Sequence, residues 1–531
     1  MSMSATDTER AFVLGIDGVP WDLLRDWATA DELPNVRHLM KAGAAGPLTS
    51  TEPPTTPLAW PSIATGTWAD KHGIYGFHAL ERDYTHRMYT GADRERPALW
   101  DILSPAVVGN VPMTYPATDI DGAMVSGMMT PKIDEGFTYP ATLRDEIERE
   151  IPEYRIGLDW NEYTDDADGF LDELDTLLAA RHQLMDRLAR EWEWRLFFFV
   201  FTAPDRLQHL IWDEKVLLNH YRQLDDIIGE AMAYAEANDA TLYVISDHGF
   251  GPISTFVNLN SILADKGFLV RKDDKGVRGS LATLGVTKSM VLDALEHVGI
   301  TADSLVRHLP KSVVDGVAEQ VPGEHGLYDV DFDETVAFAH DPSQIYINDT
   351  KRFERGTVPP TDVDSIKHDV ATALSQLTDP ETGERVLEVH DGDELFSTDP
   401  DAPDLIAVGR GEYEEKTTVS GETFVPTGDK AASHRSDGVF LAWGPDVSAG
   451  MTVENASVVD VAPTVLHGVG EPVPDAADGR VLEEIFVSDV TADDAIATRT
   501  YATATPEVDT ADIDEDFDGI EDRLRGLGYL E

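Results

Sequence analysis

Ala240-Thr241-Leu242-Tyr243-Val244-Ile245-Ser246-Asp247-His248-Gly249-Phe250-Gly251 is the stretch on which the fold turns. A short, almost unbroken apolar run that stops at a turn signal is what a strand buried on both faces looks like, since a half-buried strand alternates instead. The adjacent Asp and His then stand where the chain leaves the sheet. Two more segments have this form. Ala11-Phe12-Val13-Leu14-Gly15-Ile16 is closed by Asp17-Gly18, and Leu196-Phe197-Phe198-Phe199-Val200-Phe201-Thr202 runs into Ala203-Pro204-Asp205-Arg206-Leu207-Gln208-His209. Strands of this kind need helices over both faces of the sheet, and open α/β sheets bind ligands at the carboxyl ends of their strands. The predicted class is therefore α/β: a mostly parallel central sheet flanked by helices, with a helical insertion.

Outward from these strands, helical periodicity covers 20–30, 33–42, 143–151, 170–194 and 221–238. Strand patterns near 335–339, 344–348, 385–389 and 405–408, with a helix over 362–377, read either as a return to the main sheet or as a smaller α+β lobe. Residues 1–266 and 332–487 are thus expected to form a discontinuous core. The charged stretch 267–331, with helices over 289–298, 301–308 and 312–320, reads as an insertion or lid. The acidic tail 488–531 ends in a helix that docks by Leu524, Leu527 and Leu530. Asp514, Asp516, Asp518 and Gly519 match the first half of a calcium loop, but Arg525 stands where the closing Glu belongs, so calcium is not expected there.

Composition narrows the compartment. The 531 residues carry 99 acidic and 41 basic side chains, a formal net charge of −58. Such a surface repels itself in dilute buffer. At molar salt the Debye length falls to ~3 Å and the repulsion is screened, so the charge points to a salt-rich cytoplasm. The acids are spread along the chain rather than gathered in one tail. Without a cysteine, disulfides and thiolate metal sites are excluded. The polar N-terminus carries no apolar signal segment, no run reaches membrane-spanning length, and no basic stripe suits nucleic acid. A cytoplasmic protein with a small-molecule substrate is the expectation; oligomeric state is not legible.

The polar residues at the strand ends have two readings each. Asp17 either caps a turn or holds a metal. Asp205 and His209, four apart on a helix opened by Pro204, share one face and form either a local pair or two ligands of one ion. His434, in Ser433-His434-Arg435-Ser436-Asp437-Gly438 ahead of another apolar strand, reads alone as a surface histidine. Three separate strand ends supplying acids favour a shared site over three caps. The run Thr55-Thr56-Pro57-Leu58-Ala59-Trp60-Pro61-Ser62-Ile63-Ala64-Thr65-Gly66, then Lys71-His72-Gly73-Ile74, places a threonine hydroxyl on a constrained turn at a helix start. That position suits a nucleophile or ordinary turn chemistry.

In this order, Ile16-Asp17-Gly18, the Thr56 segment with His72-Gly73-Ile74, Asp205/His209, Ser246-Asp247-His248-Gly249 and His434 before Asp437-Gly438 resemble the alkaline phosphatase superfamily. The branch is that of type I phosphodiesterases and nucleotide pyrophosphatase-like proteins, and the subgroup is usually described as predicted phosphohydrolases or phosphomutases. The resemblance implies one metal held by Asp205, His209 and His434 and a second held by Asp17, Asp247 and His248, with Thr56 bound to the latter. Three carboxylates and three imidazoles suit Zn²⁺, with Mn²⁺ as the alternative. It further implies a two-metal phosphoric-ester hydrolase, diester before monoester, acting through a phosphothreonine at Thr56, with Thr55 the competing hydroxyl. Phosphotransfer or mutase chemistry at the same residue, and a non-catalytic metal scaffold, are the other readings. Trp60, Trp68 and Tyr75 are candidates for a substrate pocket or for core packing.

Overall fold

The computed structural model describes residues 9–134, 136–158, 163, 166–272, 326–419, 421–428, 430–487 and 496–502. The helices expected over 289–320, the calcium-like stretch and the terminal helix lie outside these residues. The main sheet has ten strands. In chain order they are β1 (Arg10–Ile16), β2 (Ala44–Thr49), β3 (Ala106–Val111), β4 (Gly122–Ser126), β5 (Thr138–Tyr139), β6 (Leu196–Phe201), β7 (Ala240–Ile245), β8 (Asp437–Trp443), β9 (Met451–Thr452) and β10 (Ala456–Ser457). Their order across the sheet is β9-β2-β8-β7-β1-β6-β3-β4-β5, with β10 also beside β2.

Both faces of the central strands are covered, which is why their sequences do not alternate. On one face Phe12, Leu14, Phe197, Phe199 and Phe201 pack with Trp27, Leu39, Leu184 and Leu224 from four flanking helices. On the other, Val13, Phe198, Val200, Tyr243 and Ile245 meet Trp60, Ile63, Val465 and Leu466. Each side chain of this size contributes roughly 1.5–3 kcal/mol by leaving water. The helices expected at 20–30 and 33–42 are Trp21–Thr29 and Pro34–Ala42. The one expected from 221 begins earlier, at Glu214, because Asp213 accepts hydrogen bonds from the backbone N–H groups of Lys215 and Val216 and so caps the helix.

β1 lies at the centre, parallel to β6 and β7. β8 runs antiparallel to β7 and β2. Residues 337–409 do not extend this sheet. They form a four-stranded antiparallel sheet of their own, in the order Ala337–Ala339, Gln344–Ile347, Leu405–Gly409, Leu387–Asp391, against the helix Val363–Ser375. Thr498–Arg499 pairs in parallel with Val473–Pro474. Among the described residues no helix is long and apolar enough to cross a membrane.

Gly15 on β1 is required by close packing. A Cβ there would lie 2.4 Å from Cη2 of Trp60 and 2.8 Å from Cγ2 of Val200. Both side chains are fully buried in the core. Gly15→Ala is expected to destabilise the fold by about 1–3 kcal/mol, read as a lower denaturant midpoint in high salt; an unchanged midpoint would show that the indole yields.

Candidate functional site

The candidate residues gather at one edge of the sheet. Asp17 follows β1 directly, and its Gly18 adopts φ +74°, a left-handed turn that suits glycine and aims the next residues away from the strand. Asp247 and His248 follow β7. Asp205 and His209 lie one turn apart on α1 (Ala203–Leu210), which leaves β6 through Thr202. Thr56 is the first residue of α2 (Thr56–Thr65), with Pro57 beside it presetting the helical turn.

His434 arrives differently. Because β8 is antiparallel, its start, not its end, lies at the edge where β1 and β7 finish. The residues just before it, Ala432–Arg435, pair with Gly249–Pro252, which places His434 opposite Phe250. A histidine that reads as a surface residue in sequence is thereby drawn into the site.

Thr56 Oγ1 lies 3.2 Å from His248 Nε2 and 3.4 Å from Asp17 Oδ1. His248 Nε2 is 3.3 Å from Asp247 Oδ2 and 3.7 Å from Asp17 Oδ1. His434 Nε2 is 3.1 Å from His209 Nε2 and 3.4 Å from Asp205 Oδ1, which is 3.5 Å from His209 Nε2. Two triads, Asp17/Asp247/His248 and Asp205/His248/His434, each bring their ligand atoms within 4.8 Å of one another. His248 therefore stands between the two sets rather than wholly in one.

Burial sets the charge states. It raises the carboxyls of Asp17 and Asp247 well above their ordinary range, and neighbouring acids add to the effect: Asp247 and Asp205 on Asp17, Asp205 on Asp247. Asp205 is raised to about 6, again by burial. The imidazoles shift the other way. Burial lowers His248 to about 4 and His434 to about 3, and carries His209 well below its usual value, with Lys430 adding to the shift of the last two. Three mutually repelling acids beside three neutral imidazoles are an unfavourable cluster until a cation lies among them.

The residues fit divalent ions. Asp247 Oδ2 is fully buried and accepts no hydrogen bond among the described residues, and the O/N donor set suits Zn²⁺ or Mn²⁺. Supporting contacts orient the donors as such sites require. His248 Nδ1 faces the Gly249 carbonyl at 3.1 Å, which assigns its proton there and leaves Nε2 basic. Trp60 Nε1 donates to Asp17 Oδ2 at 3.0 Å, and the Gly18 N–H donates to Asp247 Oδ1 at 3.2 Å. Ser246 Oγ accepts from the Val19 N–H and donates to the His248 carbonyl, tying the ends of β1 and β7 together. The roles of Trp60 and Ser246 had no signal in the sequence beyond their nearness to Thr56 and Asp247.

Since the imidazoles are already neutral above about pH 4, the acids govern ion uptake. Asp205 must lose its proton near 6, and Asp17 and Asp247 are raised in the same direction. Divalent-ion affinity is expected to rise from about pH 5 to about pH 7 with release of protons, measured by titration calorimetry in two buffers of different ionisation enthalpy. Binding without proton release would contradict this charge assignment.

The sequence profile of the type I phosphodiesterase / nucleotide pyrophosphatase family matches residues 11–439. The chain belongs to this family. It is a phosphoester hydrolase within the alkaline phosphatase superfamily, in a family that generally binds two divalent metals. Its fold is similar to those of murine ectonucleotide pyrophosphatase / phosphodiesterase 5, solved as an inactive variant in complex with AMP (TM-score 0.51, 12% identity), and of the human protein (TM-score 0.50, 13% identity). Each comparison covers 90% of this chain and 100% of the other. No curated protein matches the chain in sequence.

In this phosphodiesterase-family chain a cleft partly open to solvent lies over His209 and His434. Its walls include Thr55, Tyr75, Tyr413, Lys430 and Arg435. Of the aromatic candidates, Tyr75 lines it, its hydroxyl donating to Asp399 at 2.7 Å. Trp60 is fully buried beneath Asp17, and Trp68 borders a separate pocket with Lys71 and Phe396. Lys430, which carries no site signal in the sequence, is half-buried on the cleft wall with Nζ 2.9 Å from Glu414 Oε1. Burial would raise the Glu414 carboxyl, but Lys416 and Lys430 hold it at about 2.

Proposed function

We propose that this hydrolase cleaves phosphodiesters by transfer of the phosphoryl group to Thr56, with Asp17, Asp247, His248, Asp205, His209 and His434 holding two divalent ions, Zn²⁺ or Mn²⁺. The observation that carries the reading is the position of Thr56 Oγ1, within 3.4 Å of both Asp17 Oδ1 and His248 Nε2. Bound there, divalent ions would lower the hydroxyl pKa and neutralise charge on the phosphoryl and leaving oxygens. Thr56 Oγ attacks phosphorus in line, its proton passes to solvent, and the P–O bond to the first alcohol breaks, that oxygen taking up a proton from solvent as the alcohol leaves. Water then cleaves the phosphothreonine, releasing the monoester and restoring the hydroxyl. Two displacements give net retention at phosphorus.

The cleft beside Tyr75 and Lys430 is the place for the substrate's organic group, and a nucleotide is one candidate, given the AMP complex of the murine neighbour. The acidic surface supports a salt-rich cytoplasm as the working environment. The test is bound-ion analysis together with turnover of bis(4-nitrophenyl) phosphate in molar KCl. Two ions per chain and ion-dependent turnover are expected; turnover no faster than buffer would leave only the metal-binding scaffold.

A further inference from the structure

We infer that Arg181 is a positioning residue for the half of the metal cradle carried by α1, acting through Thr202. The inference rests on the reading that these acids hold cations. Arg181 lies on the helix Ala167–Glu191 and is 2% exposed. It forms no ion pair among the described residues. Its Nη1 donates to Thr202 Oγ1 and its Nη2 to the Ile156 carbonyl, each at 2.6 Å. A guanidinium withdrawn from water without a carboxylate partner is strongly unfavourable, and the carboxylate whose field reaches it is Asp17.

Thr202 is the corner between β6 and α1. A threonine at a helix start ordinarily turns its hydroxyl onto a backbone N–H of the first turn. Here it makes no such cap; the residue two positions into the helix is Pro204, which has no N–H, and the hydroxyl accepts from Arg181 instead. The two branches of the guanidinium thus clamp the strand–helix corner to the segment at Ile156. Asp205 comes three residues after that corner and His209 seven. Lysine offers one compact ammonium and cannot span both acceptors.

The test titrates Zn²⁺ into the metal-free full-length wild type, Arg181→Lys, Thr202→Val and Thr202→Ser in molar KCl, with the unfolding midpoint recorded for each. The wild type and Thr202→Ser are expected to bind two equivalents tightly. Arg181→Lys and Thr202→Val should keep one equivalent at wild-type affinity and bind the other about 10–100-fold more weakly. If Arg181→Lys does not fold, Thr202→Val carries the test, since it removes the same contact without leaving a different cation in the core. Two unchanged affinities, or two equally weakened, overturn the role of Arg181 alone. A wild type that takes up fewer than two ions overturns the metal reading, and this inference with it.

Discussion

Thr56→Ala is expected to reduce turnover of an aryl phosphodiester by on the order of 10³-fold or more, with ion content close to wild type. The size follows from what is removed. The Oγ1 atom is the group that would form the covalent bond, and it is buried at the start of α2 with His248 and Asp17 beside it. The three donors nearest it, by contrast, are held by contacts that do not pass through Thr56: Trp60 on Asp17, Gly18 on Asp247 and Gly249 on His248. Ion binding should therefore survive. Thr56→Ser keeps the hydroxyl and is expected to retain activity within about tenfold, and acid quenching of the wild type during turnover should trap on Thr56 the phosphoryl group still carrying its second aryl ester. Full activity in the alanine variant would remove Thr56 from the mechanism; loss of both ions with activity would make it a ligand first.

Much of this site is legible in sequence because strands covered on both faces leave an unmistakable trace. Leu196 to Phe201 has no polar residue to interrupt it, and the same trace marks β1 and β7, so Asp17, Asp205, Asp247 and His248 can be placed at strand ends from the pattern alone. Strand direction is another matter. Nothing in Val439 to Trp443 says that β8 runs antiparallel, yet that reversal is what delivers His434 to the edge where β1 and β7 end. The separate sheet of residues 337–409 is illegible for a related reason: short strands fit an extension of the main sheet as well as a lobe, and only long-range pairing decides.

The assignment of ligands to ions is finer still. Spacing puts Asp205 and His209 on one helical face, and the structure does bring them together at 3.5 Å. It also sets His248 within reach of both sets, a consequence of how β7 turns at Ser246, where one hydroxyl bridges Val19 and the His248 carbonyl. Trp60 shows the limit of reading by residue type. The sequence leaves this aromatic open between a substrate surface and core packing; here the ring fills the space that Gly15 leaves and its N–H holds Asp17. Its polar edge matters to the site and its face to the core.

Transfer from 3 M to 0.1 M KCl is expected to lower the thermal midpoint by on the order of 10 °C or more, with loss of cooperative unfolding at the low end. Two effects of salt oppose each other. Surface ion pairs such as Arg25–Asp22 and Arg480–Glu484 are strengthened when salt is removed, but each contributes only ~0–1 kcal/mol. Like-charge repulsion grows at the same time, and with 99 acids against 41 bases most carboxylates have no basic partner to gain. As the Debye length lengthens from ~3 Å at 1 M to ~10 Å at 0.1 M, each unpaired carboxylate begins to feel its neighbours, so repulsion wins and the fold weakens. Screening is distinguishable from the general stabilising effect of excluded salts: its benefit should level off near 1 M KCl, whereas exclusion keeps rising with concentration and is stronger for sulfate. A midpoint that is flat or rises as salt is removed would show that the acids are spaced far enough apart to ignore one another, and would take away the physical ground for a salt-rich working environment.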